Sequence, residues 1–435
     1  MHFPPVCGIV SIIDRAKFTL GAERNVHEEG LRLAVLSDAI LALAQRVLGP
    51  NGFRIVSGTI QCVVFAASNL TSNRRRFLIA LTGTAMPILL LFLQMALLNG
   101  VRTEVTRLYN DFDFDIAIIP STYQFLYSAS TFDVIRMEEA RAVPGVAKTS
   151  ILNIAGGSWM DETAKHASPV LLIGVDDDPS FVSNYAMRSG LSRLRASNDV
   201  LIDAYSNRSI GSTAIGARGV LNGHRVEVQG QFRLGLFFYA DGALLVGNPY
   251  FPLLAGRPSH SASIGLVRVA AGADVRSVRN ELAKTLPSDV QVLTRSQLLS
   301  NEQAYFISNK PLGLIVAVGV VIAIVAGTVV LWQVLSAEII RRIKEFATLS
   351  AMGFSPTFIF GAGVCETVLM GLAAYCPALI VSTLLLGLVE LETHLPAQVS
   401  LWLAARVLFI VILMSVLCSL SVSRRIRRAR PVSLF

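Results

Sequence analysis

Charged residues are scarce in this sequence. Of its 435 residues, 16% are Asp, Glu, Lys or Arg, whereas 53% are hydrophobic. This balance excludes an ordinary soluble protein, in which about 25% of residues are charged. The net charge of +8 lies outside residues 101–310, where acidic and basic residues are equal in number, and it flanks apolar runs. A nucleic-acid binder would concentrate this charge on a folded domain, so we predict a membrane protein without a nucleic-acid partner.

Cysteine is also sparse, and none of the five cysteines lies in residues 101–310. The five are Cys7, Cys62, Cys365, Cys376 and Cys418. A disulfide-stapled fold is therefore excluded for that segment, and no cysteine pair has the spacing of a metal site. Residues 1–30 lack the charged start, apolar core and small-residue cleavage site of a signal peptide, so none is predicted.

Motifs of catalysis are missing throughout the sequence. It contains no GxxxxGK[ST], so this chain has no P-loop for nucleotide hydrolysis, and neither HExxH nor GxSxG occurs. His166, His224 and His260 have no metal-site spacing. The three Asp residues at 176–178 lack the alternating ligands of an EF-hand and predict a turn after a buried strand. A strand with one solvent-exposed face explains DFDFD at 111–115 as well as any functional site does. No catalytic, cofactor or metal site is predicted.

Long uncharged runs dominate what is present. Residues 77–98 would form a helix of ~33 Å, enough to cross a hydrocarbon core of ~30 Å. Residues 312–335 and about 400–421 predict two further spans. Residues 357–389 would measure ~50 Å as a helix, which is too long for one straight crossing and too short for two crossings with a turn.

Basic clusters decide the topology. One precedes the first run, one follows the second, and RRIRRARP follows the last. All three lie on the cytoplasmic side only if residues 357–389 cross once, in a helix kinked or ended near Pro377. We predict four spans, with both termini inside, residues 101–310 outside, and a short inside loop at 336–355.

Short strand candidates recur in the outside segment and are separated by Gly, Asp and Pro. They are residues 168–175, 225–232, 243–248, 264–270 and 289–295. A helix is predicted to begin after Asp274, which can cap it, and to stop at Pro287, because apolar residues recur at helical spacing between them. The predicted fold class is an α-helical membrane protein with four transmembrane helices and an α+β periplasmic domain between the first and second.

Five stretches and the closing ARPVSLF carry a family likeness. The stretches are FAASNLTSNRRRFLIALTG (65–83), LLLFLQMAL (89–97), FRLGLFFYADGALLVGN (232–248), NKPLGLIVAVGVVIAIVAGTVVLWQVL (309–335) and RRIKEFATLSAMGFSP (341–356). Together they resemble the FtsX-like permeases, the membrane subunits of MacB-type ABC exporters, and among these the DevC type. Residues 1–64 do not match and are expected to be an N-terminal extension of unknown role or an untranslated upstream stretch.

The resemblance implies a division of the chain into segments. These are a juxtamembrane segment and first span at 65–100, a MacB-like periplasmic core domain at 101–310, a second span at 311–335, a cytoplasmic coupling helix at 336–356, and FtsX-like third and fourth spans with a basic tail at 357–435.

The coupling helix is implied to lie in a groove of a separate ATPase. Its ATPase-coupling residues would be Arg341, Arg342, Glu345, Phe346, Leu349, Met352 and Gly353. Phe346, Leu349 and Met352 recur at i, i+3 and i+6 and form a partial apolar stripe, and Gly353 is suited to end the helix. The alternative is a surface-lying helix that only anchors the loop to lipid.

Glu366 is the ionisable residue deep inside an apolar run, where a carboxylate is costly unless it is paired, protonated or facing a polar interior. The resemblance implies a helix-packing or gating contact at a dimer interface. The alternative is a side chain that extends back to the cytoplasmic surface.

The resemblance implies a permease subunit, not an enzyme, which couples ATP hydrolysis on a partner to movement of its periplasmic domain and export of a lipid-like or amphipathic substrate. Expected partners are a cytoplasmic ABC ATPase subunit, a periplasmic adaptor (membrane fusion protein), an outer-membrane channel and a second copy in a homodimer. The location would be the bacterial inner membrane, and ATP would bind the partner, so no cofactor is expected here. The alternative is an FtsX-like signalling subunit that regulates cell-wall hydrolases. A membrane-bound enzyme is disfavoured by the missing motifs.

Overall fold

A computed structural model describes residues 74–128, 130–162, 166–235, 240–341, 356–393 and 397–428. By contacts between residues, the chain divides into two compact units. One contains residues up to Ala96, Gly319–Leu386 and Val399–Phe435, and it holds most of the long apolar helices. The other contains Leu97–Val318 and Gly387–Gln398, and it is called the outer unit below.

Helices occupy both units. The α-helices are α1 (Arg74–Val105), α2 (Arg107–Asn110), α3 (Ile135–Arg141), α4 (Tyr185–Gly190), α5 (Phe251–Ala255), α6 (Val275–Thr285), α7 (Arg295–Asn309), α8 (Pro311–Arg341), α9 (Pro356–Thr393) and α10 (Leu401–Arg428).

Strands occur in the outer unit. They are β1 (Ile116–Pro120), β2 (Phe132–Asp133), β3 (Val146–Asp161), β4 (Ser168–Val175), β5 (Asp199–Asp203), β6 (Arg218–Leu221), β7 (His224–Phe232), β8 (Gly242–Gly247), β9 (Ser261–Ala262), β10 (Ile264–Val269) and β11 (Val290–Thr294).

Four helices within the described ranges are long and apolar enough to cross a membrane. The spans are Phe77–Val105 in α1, Pro311–Val334 in α8, Gly363–Leu391 in α9 and Leu401–Ser419 in α10. The third span is one helix that continues through Pro377 to Thr393, so the helix does not end at this proline. Proline is tolerated inside membrane helices because neighbouring groups can satisfy the carbonyl that it leaves without a partner. The predicted fold class is confirmed, with the sheet domain between the first and second spans.

A nine-stranded sheet forms the centre of the outer unit, in the order β11-β1-β10-β3-β4-β8-β5-β7-β6. The long strand β3 pairs with β10 through its first part and with β4 through its second, and its last residues also pair with β6. This extra pairing closes β3, β4, β8, β5, β7 and β6 into a ring. The pairs β4–β8 and β5–β7 are parallel.

Alternation along the strands divides the hydrophobic core into clusters. Val170 and Leu172 of β4 pack with Trp159 of β3, and the Trp159 indole N–H donates to the backbone O of Ile210 at 3.0 Å. The alternate residues Leu171 and Ile173 point to the opposite face and belong to another cluster. Successive side chains of a strand point to opposite faces, so both faces of β4 are buried.

The predicted strands coincide with observed ones, and Asp274 caps α6 by accepting from the backbone N–H of Ser277 at 2.9 Å. The prediction of a strand at DFDFD is wrong. Phe112 and Phe114 are both buried in an irregular segment, because they enter one core cluster together, and only Phe112 makes an isolated bridge, to Val182. The Asp run after β4 forms a bend, and Asp178 caps a short 3-10 helix by accepting from the backbone N–H of Ser180.

Candidate functional site

The predicted ATPase-coupling residues lie almost entirely beyond the part of the chain that the structure describes. Arg341 is the last residue of α8, and no side-chain detail is described for it. The other six, Arg342, Glu345, Phe346, Leu349, Met352 and Gly353, fall within the undescribed residues 342–355. Their role as a coupling helix therefore stays a prediction.

Glu366 lies about three turns after the start of α9. Its side chain is 8% exposed, and the neighbouring Thr367 is 2% exposed. Buried positions recur every four residues along this helix face. They are Glu366, Met370, Ala374, Ala378, Ser382 and Leu386. Because three of them are small, neighbouring membrane helices can approach this face closely.

Small residues also mark the other contacts among the membrane helices. A Cβ added to Gly371 would lie 2.8 Å from the hydroxyl oxygen of Ser415 in α10. A Cβ added to Gly327 in α8 would lie 3.0 Å from the Met414 side chain and 3.4 Å from Pro87 in α1. These distances leave little space for a larger side chain at either glycine, so helix packing here depends on glycine.

A tyrosine adds a polar contact to this packing. The Tyr375 hydroxyl of α9 donates to the backbone O of Ala404 in α10 at 2.9 Å, and its ring lies 5.4 Å from the ring of Phe92 in α1. The long apolar helices that the structure describes are thus joined by close packing and a few hydrogen bonds.

A buried carboxyl group joins three segments of the outer unit. Glu302 of α7 is 1% exposed. Its Oε1 accepts from the hydroxyls of Tyr109 in α2, at 2.9 Å, and Tyr123, in the loop after β1. Its Oε2 accepts from the backbone N–H of Leu126 at 3.3 Å, and the two tyrosine hydroxyls lie 2.6 Å apart. Burial raises the pKa of Glu302 to about 7, although the three donors act against this rise.

Sequence reasoning missed Glu302. The signal was its place between Leu298 and Phe306, because Leu298, Glu302 and Phe306 lie four residues apart and all three are buried. A glutamate on the apolar stripe of an amphipathic helix must find partners in the core. The sequence also indicates where α7 begins, since Thr294 and Gln297 form a capping box.

Two further carboxyl groups lie near α2. Asp203 is fully buried, and its carboxylate accepts from the backbone N–H groups of Tyr205, Leu234 and Gly235. Burial raises its pKa, and burial also raises the pKa of Asp111 to about 6. These hydrogen bonds give Asp203 a structural role, because its carboxylate binds the backbone that follows β7. Within the described ranges, no group of three His, Cys, Asp or Glu residues could hold a metal ion.

Comparison with known proteins identifies the C-terminal part. The FtsX-like permease C-terminal family model matches residues 317–431. No curated protein matches the chain.

Three solved structures are similar to part of the chain. The extracellular domain of the noncanonic ABC-type transporter YknZ from Gram-positive bacteria has 14% identity and a TM-score of 0.30, covering 41% of this chain and 98% of that one. The periplasmic region of MacB from Actinobacillus actinomycetemcomitans has 10% identity and a TM-score of 0.33, covering 42% and 90%. A domain of a protein described as a permease, from Porphyromonas gingivalis, has 15% identity and a TM-score of 0.29, covering 42% and 90%.

Proposed function

We propose that the chain is the membrane subunit of an ABC exporter whose ATPase is a separate chain, because residues 317–431 match the FtsX-like permease C-terminal family model. The family match is the observation that carries this proposal. Four membrane spans support it, and so does the absence of a P-loop motif anywhere in the 435-residue sequence. ATP hydrolysis then has to occur on a partner, and this chain converts it into movement.

Continuity of helices supports a mechanical role. The helix α8 runs unbroken from Pro311 to Arg341 and so continues into the proposed coupling segment at 336–356. At its other end only Lys310 separates it from α7, which carries Glu302 into the core of the outer unit. A displacement applied by an ATPase at residues 341–356 would therefore pass along α8 to α7, because a helix is stiff along its axis.

The remaining parts of the proposal follow from the sequence resemblance. The chain would lie in the bacterial inner membrane with residues 101–310 in the periplasm. It would work with a cytoplasmic ABC ATPase, a periplasmic adaptor and an outer-membrane channel, and the substrate would be lipid-like or amphipathic. The DevC type remains a prediction from the EFATLSAMGFSP block at 345–356. A fold hosts many functions, so the substrate needs its own test.

A pattern on α8 supports the homodimer. Five exposed β-branched residues recur there at alternating intervals of three and four, as in the seam of a coiled coil, whereas Val321, which is also exposed, lies off this seam. The five are Ile315, Val318, Ile322, Val325 and Val329, with exposed fractions from 46% to 67%. We therefore place the partner copy on this seam.

Cysteine cross-linking tests the seam. With the native cysteines replaced, Val325→Cys should form a covalent dimer in membranes under mild oxidation. The control is Leu384→Cys on α9, which is 65% exposed but does not lie on the seam. Cross-linking of the control alone would place the dimer interface elsewhere.

Reconstitution tests the function itself. The purified chain should show no ATPase activity alone, whereas together with its ATPase it should support ATP-dependent release of an amphipathic substrate from the membrane. Cells without the chain should accumulate that substrate in the inner membrane. Unchanged export together with altered cell-wall hydrolysis would favour the signalling alternative, and ATP turnover by the isolated chain would overturn the permease proposal.

A further inference from the structure

The number of protons available to the hydrogen bonds around Glu302 depends on whether its carboxyl group is ionised. Three oxygen atoms, Tyr109 Oη, Tyr123 Oη and Glu302 Oε1, make three mutual contacts. Each tyrosine hydroxyl carries one proton, and an ionised carboxylate carries none. With Glu302 ionised, two protons must serve three contacts, and one pair of oxygens faces each other without a proton between them. With Glu302 protonated, each oxygen donates once and accepts once around a closed ring.

We propose that Glu302, Tyr109 and Tyr123 form a proton-binding lock. One proton on Glu302 completes a ring of hydrogen bonds that holds residues 122–128 and α2 against α7. Loss of the proton leaves one contact repulsive and loosens this fastening. The proposal goes beyond the proposed export function, because it concerns a binding site for a proton inside the outer unit.

The lock lies where the outer unit leaves the first span and enters the second. Tyr109 belongs to α2, which follows α1 after Thr106, and Glu302 belongs to α7, which precedes α8. The last turns of α1 also contact α7, because Val101, Val105 and Phe306 form one cluster and Gln303 donates to the backbone O of Arg102 at 3.2 Å. The ring therefore ties together the two connections between the outer unit and the spans.

The described polar and charged groups around the ring come from α2, the loop after β1 and α7, and from Lys310. From α2 the group that faces Glu302 is the Tyr109 hydroxyl, and from the loop it is the Tyr123 hydroxyl. The Arg295 guanidinium, on the same helix as Glu302, donates to the backbone O of Tyr109 at 3.3 Å. Lys310 lies over the ring of Phe125, 4.0 Å from its centroid. Burial raises the pKa of Tyr109 well above its ordinary value, so this hydroxyl stays neutral.

The direction of the pH effect follows from the two states of Glu302. Its pKa is about 7 in the closed structure, against an ordinary value of 4.5 where it is exposed to water. The closed state thus binds the proton more tightly than the open state. Its stabilisation is complete below about pH 4.5 and is lost as the pH rises through about 7.

Infrared difference spectroscopy of the full chain in lipid nanodiscs tests the proton directly, because a protonated carboxyl and a carboxylate absorb at different frequencies. The wild type should lose one carboxylic-acid signal with a midpoint near 7, and Glu302→Gln should lack it. Burial raises the pKa of Asp111 to about 6, so its carboxyl loses a proton in the same pH range. The signal of Glu302 is therefore read as the difference between the wild type and Glu302→Gln. The control Glu281→Gln, in an exposed ion pair with Lys284, should keep the signal. If the Glu302 carboxyl is already ionised at about pH 5, the proposal is overturned.

Hydrogen exchange of residues 122–128 in the same nanodiscs reports the fastening. After correction for intrinsic rates, wild-type exchange should accelerate between about pH 4.5 and about 7 by up to about tenfold per pH unit, the limit for one proton, and should level off above 7. Glu302→Gln should remove this acceleration, since its amide keeps a donor and an acceptor at all pH values. Equal pH dependence in the wild type and Glu302→Gln overturns the proposal.

Two tyrosine variants separate the ring from the general packing of the loop. Tyr123→Phe breaks the ring and should exchange fast at every pH. Tyr305→Phe removes the hydroxyl that donates to Gln124 on the same loop at 2.9 Å but leaves the ring intact. Tyr305→Phe should keep the wild-type pH dependence of exchange. Exchange that does not change with pH in both Tyr123→Phe and Tyr305→Phe would contradict the ring. None of these measurements depends on transport, so the lock and the export function can fail separately.

Discussion

Glu366 is 8% exposed on a face of α9 that otherwise carries small and apolar residues. A buried carboxyl in an apolar run is costly unless it is hydrogen-bonded or neutral, so its chemistry can be tested by substitution. We expect Glu366→Gln to stay within about twofold of wild-type export, because the amide retains hydrogen-bonding capacity. Glu366→Leu should lower export by about tenfold or more, since loss of a buried polar contact costs ~1–3 kcal/mol.

The matched control lies on the same helix. Glu390 is half-buried near the end of α9, and it accepts from the Gln398 amide at 2.8 Å. Glu390→Leu should change export little, because the half-buried carboxylate near the end of the helix keeps access to water. Export measured in cells at equal expression decides the outcome. Wild-type export by Glu366→Leu would favour a side chain that serves only to anchor the helix at the cytoplasmic surface.

At the scale of elements, glycines on the membrane helices differ in the space beside them. A Cβ at Gly327 of α8 meets Met414 and Pro87 within 3.4 Å, whereas a Cβ at Gly363 of α9 meets nothing within 4 Å. Gly327→Val should therefore overpack the helices and cost ~1–3 kcal/mol. Thermal unfolding of the detergent-solubilised chain measures this cost. The matched substitution Gly363→Val should leave the unfolding temperature nearly unchanged, and equal effects of both would contradict the packing described here.

Elements with a clear local signal could be predicted from the sequence. The strand at 168–175 is a continuous apolar run bounded by turn residues, and α6 has both a cap at Asp274 and a regular apolar spacing. The long strand β3 was missed because Gly156 and Gly157 interrupt its alternation, and its pairing with three other strands compensates for this weak local preference. Glu302 was missed because its partners are distant in sequence, at Tyr109 and Tyr123.

The coupling segment is the element on which the proposed function depends most directly. If residues 341–356 dock into an ATPase, Phe346 is the largest apolar group of their stripe and should serve as its anchor. Anchors of this kind cost ~2–4 kcal/mol when truncated. Phe346→Ala should then weaken ATPase association by roughly thirtyfold or more, at ~1.4 kcal/mol per tenfold. Co-purification of the ATPase with the membrane subunit measures this effect.

The same stretch provides a control. Ala347→Ser changes a residue on the side of the predicted helix opposite to the stripe formed by Phe346, Leu349 and Met352, so ATPase recovery should be unchanged. Gly353→Val should also uncouple, because a β-branched residue is strained where a helix ends with φ > 0. Full ATPase recovery with Phe346→Ala and Gly353→Val would make the segment a passive connector, or a lipid anchor if Phe346→Ala loosens it from the membrane.

At the scale of the whole molecule, charge and helix length together determine the topology. The helix α9 covers the ambiguous run without a break between Pro356 and Thr393, so this region contributes one span to the four. An even number of spans places both flanking segments on the same side. The positive-inside tendency predicts that the basic clusters before the first span and after the last both lie in the cytoplasm. With that orientation, residues 101–310 are expected on the opposite side.

Reporter fusions at four positions test this topology. A reporter active only outside the cytoplasm should give a signal at Ser197 and at Pro396, and a reporter active only inside should give one at Ala347 and at Phe435. Phe435 is the most informative position, because a second crossing within residues 357–389 would reverse its side while leaving Ser197 and Ala347 unchanged. An outside signal at Phe435 would contradict four spans and would place RRIRRARP outside the cell, against the tendency of basic residues to remain in the cytoplasm.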